Sequence, residues 1–336
     1  MTNRAAQLKT FLTLAGWGQA SRHALAGDAS NRRYLRLANI DGARAVLMDA
    51  PPDTGEDIAP FIAIAEHLTR RGFSAPALLA RDVREGFLLL EDLGDDLFAR
   101  VLEADPSQEG ALYTAATDVL IHLHAQKPRE GLKTYGPFEM AEAACLSLDW
   151  YARFAGQPAA QTDRSSFRDL IQTMLDKAQP SRPVMALRDY HAENLIWLPG
   201  RHGYRRVGLL DFQDAMLSHP AYDLVSLLYD ARRDVSEETR TICLERYISA
   251  TGANRDQFLS ASSLCSAQRN LRIMGVFARL SIRDGKPSYP DLMPRVWGNL
   301  MRDLEHPDLA PLQALIAKHL PAPDAKIIKK IKTTHV

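Results

Sequence analysis

The stretch VMALRDYHAENLIWL, residues 184–198, sets an arginine, two acids, a histidine and an asparagine between two apolar runs. Each run reads as a short buried strand, and polar groups persist at such a spot only where they are bonded or face a site. Asp189 and Asn194 lie in the turn between the strands, and farther on RRVGLLDF (205–212) brings Asp211 to the end of another apolar strand. Three oxygen-bearing side chains can so converge at one strand-end edge. Taken singly, each has a plain role, since Asp and Asn bond turn backbone and cap helices. Taken together they form the set that phosphoryl transfer uses. One carboxylate lies near an acceptor hydroxyl, and a carboxylate with an amide oxygen serves Mg2+, a hard cation that keeps few protein ligands.

Outward from this stretch, the chain changes character near Gly94. Before it, QLKTFLTLAGWG (7–18) opens with a helix, and SRHALAGDASNRRYLRL (21–37) predicts a strand, a polar turn over Gly27–Asn31 and a second strand. ARAVLMDAP (43–51) is a third strand stopped by Pro51 and Pro52. Ile58, Phe61, Ile62, Ala65 and Leu68 recur at helical spacing, and SAPALLARDVREGFLLLEDLG (74–94) supplies two strands joined at Glu85–Gly86. Beyond Gly94 the segments 97–126, 140–154 and 167–178 read as helix, interrupted by the short strands VMAL and RRVGLLDF and followed by further helices from HPAYDLVSLLYDARRD (219–234). The expected organisation is a compact α+β lobe over 1–94 and a larger helical lobe over 95–336, with no repeats.

The 336 residues, 46% of them hydrophobic, suffice for a large core, and 41 basic residues cancel 41 acidic ones. No global field is left to hold nucleic acid or an anionic membrane, so an anionic ligand must be held locally. Cys145, Cys243 and Cys265 are far apart and suggest neither a zinc cluster nor a disulfide framework. The N-terminal apolar stretch is too short for a membrane span and precedes no cleavage pattern, so a cytoplasmic protein is expected. The lysines of KIIKKIKTTHV (326–336) read as a frayed, solvated end. Nothing in the sequence specifies an oligomeric state.

In order and spacing, LRDYHAENLIWL (187–198) looks like the D-x-H-x-x-N catalytic loop of aminoglycoside phosphotransferase-like small-molecule kinases, and LLDFQDA (209–215) like their metal-binding aspartate segment. HPAYDLVSLL (219–228) resembles the G-x-P-x-x-D-L segment that follows, with His219 where a small residue is common. More narrowly, GDASNRRYLRL, VLMDAPP, LLLEDLGDDLF, LRDYHAENLIWLPGR and GLLDFQDA resemble the anomeric sugar kinases that phosphorylate N-acetylmuramate and N-acetylglucosamine at C1 in peptidoglycan recycling. The resemblance covers nearly the whole chain. It implies an α+β, bilobal protein-kinase-like fold with a small β-rich N-lobe and a larger helical C-lobe, ATP and Mg2+ as cofactors, and a small amino sugar as acceptor. An aminoglycoside, choline or another alcohol is the alternative acceptor. A nucleotide-binding scaffold without catalysis is a third reading, opposed by the intact Asp189, Asn194 and Asp211.

By the same likeness Asp189 is the catalytic base, Arg188 and His191 support its loop, and Asp223 braces it. Asp211 bridges Mg2+ to the β- and γ-phosphates and Asn194 completes the metal site. Glu91 and Leu93 read adenine through main-chain groups, Val46 faces the base, and Ser30 and Asn31 turn N–H groups toward phosphate. One departure stands out: these kinases carry a phosphate-gripping lysine on the third strand, and RAVLMDAP (44–51) has Met48 there. In the neighbouring NRRYLR, Arg32 and Arg33 fall on opposite faces, so either can offer a guanidinium. Arg33 is favoured over Arg32, with the register left open. Gln213 and Asp214 are expected on sugar hydroxyls, with helix capping as the alternative for Asp214. On the helix AQRNLRIMGVFARLSIRDGK (267–286), Arg269, Arg272 and Arg279 are expected to meet an acetyl or lactyl group, Arg279 among the substrate residues.

Overall fold

The structure, a computed structural model, describes residues 4–25 and 31–336. Two compact units emerge, Met1–Pro106 with Ala192–Ala215, and Ser107–His191 with Met216–Val336.

The first unit is built on an antiparallel sheet of β1 (Ser21–Ala24), β2 (Arg33–Ala38), β3 (Arg44–Asp49), β4 (Leu78–Asp82) and β5 (Phe87–Glu91), ordered β1-β2-β3-β5-β4. Helix α1 (Arg4–Leu14) covers one face, where Phe11 and Leu12 pack into Leu37, Ala45, Leu47, Phe87 and Leu89. Strand alternation sorts the side chains. Leu35 lies opposite Leu47 and Leu37 opposite Ala45, so these share the α1 face, whereas Tyr34 opposite Met48 and Arg36 opposite Val46 share the other. Helix α2 (Ala59–Arg70) buries Phe61, Ile62, Ala65 and Leu68 as their spacing predicts. The β4–β5 turn requires its glycine: Gly86 has φ +72°, and a Cβ there would meet the Ala50 carbonyl oxygen at 2.0 Å.

The mostly helical segment 97–126 holds two helices, α3 (Phe98–Ala104) and α4 (Glu109–Ala125). Pro106 has no N–H and drives Asp105 out of helical geometry, to φ −144° and ψ 89°. The first unit runs to Pro106 and takes in α3.

Four short strands follow, β6 (Val184–Ala186), β7 (Leu195–Trp197), β8 (Val207–Leu209) and β9 (Met216–Ser218), of which β9 was not expected; β6 pairs with β9 and β7 with β8. The β7–β8 hairpin belongs to the first unit because its backbone is bonded there. Leu209 N–H donates to Ser74 O at 3.0 Å, and Trp197 N–H to Asp96 O at 2.7 Å. On the same hairpin, Phe98 of α3 meets Trp197 edge-on at 6.2 Å.

The second unit continues with α5 (Pro137–Ala144), a π-helical stretch over 147–152 that runs into α6 (Arg153–Ala155), α7 (Gln161–Lys177), α8 (Ala221–Leu228), α9 (Glu237–Thr251), α10 (Arg255–Ile282), α11 (Met293–Asp303), α12 (Ala310–His319) and α13 (Ala325–Thr333). Helix α10 is the spine, and Gly275 lets it close on the backbone of Leu146, where a Cβ would sit 2.1 Å from the carbonyl carbon. Helix α8 ends at Leu228 instead of running on, because Asp230 Oδ1 takes the Arg232 N–H at 2.9 Å in an Asx turn. The lysine-rich end is not frayed: α13 buries Ile331 completely and its N-cap Asp324 accepts from Ile327 N–H at 2.7 Å. No described helix is long and apolar enough to cross a membrane.

Candidate active site

The chain passes from the second unit to the first between His191 and Ala192, so Asp189 belongs to one unit and Asn194 and Asp211 to the other. Among the described residues, only Arg188 (φ +73°) and Asp211 (φ +54°) are non-glycines with left-handed backbone. Such conformations cost about 1 kcal/mol or more and persist only where the surroundings enforce them. For Arg188 the enforcing group is Asp223. Fully buried on α8, it accepts the N–H of Leu187 at 2.5 Å and of Arg188 at 2.9 Å. Tyr190 fixes the other side of the turn by donating its hydroxyl to Ala116 O at 2.8 Å. Asp189, half-buried between them, has its own N–H on Leu187 O at 3.0 Å. Its backbone is therefore held by its neighbours.

His191 is buried, and burial pushes its imidazole down to about 4 against the pull of Asp230. The ring is thus neutral at physiological pH. His219 caps the next helix: its Nδ1 accepts the Ala221 N–H at 3.0 Å. Burial pushes the Asp223 carboxyl up to about 7, against its two N–H bonds. The native carboxyl so keeps a proton that the unfolded chain releases at the ordinary value near 4, and the stability it contributes is full below that value and lost as pH rises through 7. In urea unfolding at pH 5 and pH 8, the advantage of the wild type over Asp223→Asn is expected to shrink by on the order of 2–3 kcal/mol. A difference that does not change with pH would mean the carboxyl is ionised throughout.

In the first unit Asp211 follows β8, and the next residue, Phe212, is fully buried with its ring 5.0 Å from that of Phe61. Leu210 N–H donates to Asn194 O at 3.0 Å, which lays the two segments side by side. Asn194 Nδ2 lies 3.5 Å from Asp211 Oδ2, and Gln213 Nε2 donates to Asp211 Oδ1 at 2.6 Å. Gln213, expected on a sugar hydroxyl, holds Asp211 through this bond. Asp214 is exposed in a turn that leads into β9, so no helix begins there for it to cap. A carboxylate and an amide oxygen on anchored backbone are hard donors, and two of them leave the other positions of an octahedral Mg2+ to water and phosphate. The donor set fits that ion, with Asn194 and Asp211 as the residues that would hold it.

Met48 is fully buried, so β3 offers no cation at that position. The register decides which arginine shares its face. Arg33 lies opposite Asp49 on the α1 side, where Asp49 binds both Arg33 at 2.8 Å and Arg4 at 2.5 Å. The preference for Arg33 is therefore corrected, because it points across the sheet from Met48. By alternation Arg32 is on the Met48 side, where it pairs with Glu56 at 2.8 Å. Arg36, on the same side, is taken by Asp92 and Asp95 at 2.8 and 2.6 Å. Asn31 N–H donates to Glu56 Oε1 at 3.2 Å, and Ser30 lies outside the described residues. Glu91 N–H donates to Ala77 O at 2.9 Å and its carboxylate pairs with Arg201 at 2.5 Å. Val46 is half-buried on the Met48 face.

Arg279 is about 10 Å along α10 from Arg272, among Arg283 and Asp284, whereas Asp189 is among the charges acting on Arg269 and Arg272. The part of α10 that senses Asp189 is thus its middle, which bears Arg269 and Arg272, and not its last turn with Arg279. Two neighbours of the loop were not singled out from sequence. Asp230, 1% exposed, is an acid just past an otherwise apolar helix, a signal that was there to read. Tyr135, whose ring lies 5.8 Å beneath the Arg188 guanidinium, sits in an irregular segment with no such signal.

The model of the APH phosphotransferase enzyme family matches residues 21–258. The chain belongs to that family. It is 38% identical to the N-acetylmuramate/N-acetylglucosamine kinase of Caulobacter vibrioides, over 95% of this chain and 98% of that protein. To the kinase of the same name from Pseudomonas aeruginosa it is 34% identical, over 92% of this chain and 93% of the other. Among solved structures the phosphotransferase resembles ADP-bound aminoglycoside phosphotransferase APH(2'')-Ib, with TM-score 0.59 and 12% identity over 97% of this chain and 99% of that one. It also resembles choline kinase LicA from Streptococcus pneumoniae, with TM-score 0.57 and 12% identity over 91% and 99% of the two chains. At these identities the likeness establishes the bilobal protein-kinase-like fold, here an N-terminal antiparallel sheet with a mostly helical remainder.

Proposed function

We propose that this phosphotransferase moves the γ-phosphoryl group of ATP to the C1 hydroxyl of N-acetylmuramate and N-acetylglucosamine, in the cytoplasm, as a step of peptidoglycan recycling. The observation that carries this reading is identity of 38% and 34%, over nine-tenths of the chain, to two kinases named for those sugars. The fold shared with an ADP-bound phosphotransferase supports the nucleotide. Asp189 orients the C1 hydroxyl and accepts its proton late, as the sugar oxygen bonds to the γ-phosphorus and the bond to the β–γ bridging oxygen breaks. Asp223 and Tyr190 keep the loop in place during that transfer. Asn194 and Asp211 would hold Mg2+, with Gln213 fixing the Asp211 carboxylate, and the ion would supply positive charge to the transferring phosphate.

Arg32 takes the part of the missing lysine by releasing Glu56 and turning to phosphate. Arg32→Ala is expected to raise the KM for ATP about tenfold, the value of one charge-assisted hydrogen bond, and Arg33→Ala, on the far face, less than about twofold. Equal effects from the two variants would contradict the assignment.

The cationic middle of α10 favours an anionic or neutral sugar over a polycationic aminoglycoside, which Arg269 and Arg272 would repel. A coupled ADP-release assay over both amino sugars, an aminoglycoside and choline tests this. Turnover of the aminoglycoside or choline ahead of both sugars would overturn the reading.

A further inference from the structure

Arg269 is the least solvated arginine near the catalytic loop. It lies on α10 at 5% exposure, and its Nε and Nη1 are buried with no hydrogen-bond partner. No described carboxylate forms an ion pair with it. Burial opposes its charge, which Tyr222, Asp230 and Asp189 only partly steady. A guanidinium does not give up its proton in a protein, so this is an unpaired buried cation, an arrangement that destabilises a fold unless something arrives to complete it.

The surroundings are those of a built anion site. One turn along the helix, Arg272 presents a second guanidinium on the same face, with Asp189 again among the charges acting on it. Arg188 lies over the ring of Tyr135, and the rings of Tyr135 and Tyr222 meet edge-on at 5.4 Å. Gln268 holds that wall, donating to Tyr135 Oη at 3.3 Å and to Met140 O at 2.7 Å. Three arginines thus surround two tyrosines beside Asp189, all within one compact unit. Asp189 and Asp230 lend Arg269 some charge support without an ion pair to it. Asp223 is occupied by backbone N–H groups, and Asp230 Oδ1 by Arg232 N–H.

We propose that Arg269, supported by Arg272, receives a carboxylate carried by the acceptor sugar, and that this contact sets the preference for an anionic over a neutral amino sugar. The inference rests on the acceptor reading given above. N-acetylmuramate carries a lactyl ether carboxylate and N-acetylglucosamine does not; the two are otherwise the same ring with the same C1 hydroxyl. A planar carboxylate matches the guanidinium fork and satisfies donors that the fold leaves empty. The neutral sugar leaves them empty, so binding energy differs between the two while Asp189 meets the same hydroxyl.

Steady-state kinetics of wild type and Arg269→Met with both sugars test this. The ratio of kcat/KM for N-acetylmuramate to that for N-acetylglucosamine is expected to fall by about 10–100-fold in the variant, chiefly through KM. Its melting temperature is expected at or above that of the wild type, since an unpaired buried charge has been removed. A ratio unchanged within about threefold, or a lowered melting temperature with both sugars lost in parallel, would make Arg269 structural and overturn the inference. A second measurement needs no variant: the wild type with the carboxamide of N-acetylmuramate is expected to show a KM raised at least about tenfold, and an unchanged KM overturns the inference whatever the variant does. Wild-type turnover of neither sugar would sink the acceptor reading and this inference together. Turnover of both with an unchanged ratio sinks the inference alone.

Discussion

Asp189→Asn is expected to lower kcat with the preferred amino sugar by about 10²–10⁴, with the affinity for ATP and the melting temperature close to those of the wild type. The split follows from how the loop is held. Its positive-φ turn is fixed by Asp223 on the N–H groups of Leu187 and Arg188, and its other side by Tyr190 on Ala116 O. None of these contacts uses the Asp189 carboxylate, and asparagine keeps the size and the local backbone preference of the side chain. What it removes is the proton acceptor. In a loose transition state the hydroxyl proton leaves late, and an anomeric hydroxyl is more acidic than an ordinary sugar alcohol, so a residual rate remains. A loss below about tenfold would mean that Asp189 is not the base; an equal loss of ATP binding would mean that the loop itself had failed.

Asp211→Asn is expected to cost several kcal/mol of transition-state stabilisation, roughly 10³ in kcat. Asparagine is the informative replacement because it tolerates the left-handed backbone that this position adopts at φ +54°. Alanine would mix the loss of a ligand with backbone strain. Phe212 stays buried against Phe61 in the variant, so the melting temperature should move little. The Mg2+ concentration for half-maximal rate should rise steeply, since one amide replaces the carboxylate of the metal pair. Gln213→Ala should show a weaker form of the same defect, because its 2.6 Å bond orients the carboxylate without providing a ligand. Full activity of Asp211→Asn at unchanged Mg2+ would remove Asp211 from the metal site.

The polar interruption of VMALRDYHAENLIWL and the strand end at LLDF were legible because burial makes polar side chains conspicuous. Strand and helix periodicity likewise placed the five-stranded sheet and α2. Three features were not legible, each for a physical reason. Which face of β2 carries Arg32 depends on pairing Tyr34 with Met48 and Arg33 with Asp49, and a one-residue slip would reverse it. That the β7–β8 hairpin joins the first unit rests on backbone bonds to Ser74 and Asp96, which leave no mark on side-chain pattern. Arg269 could be named on its helix from sequence, but only packing reveals that its guanidinium has no partner.

The measurement that bears most directly on the central claim is phosphorus NMR of the purified protein with ATP, Mg2+ and each amino sugar, beside Asp189→Asn under identical conditions. A sugar 1-phosphate resonance, coupled to the anomeric proton, that grows with the wild type and is suppressed in the variant is the predicted result. Phosphate on any other hydroxyl, or a C1 product formed equally fast by Asp189→Asn, would contradict it.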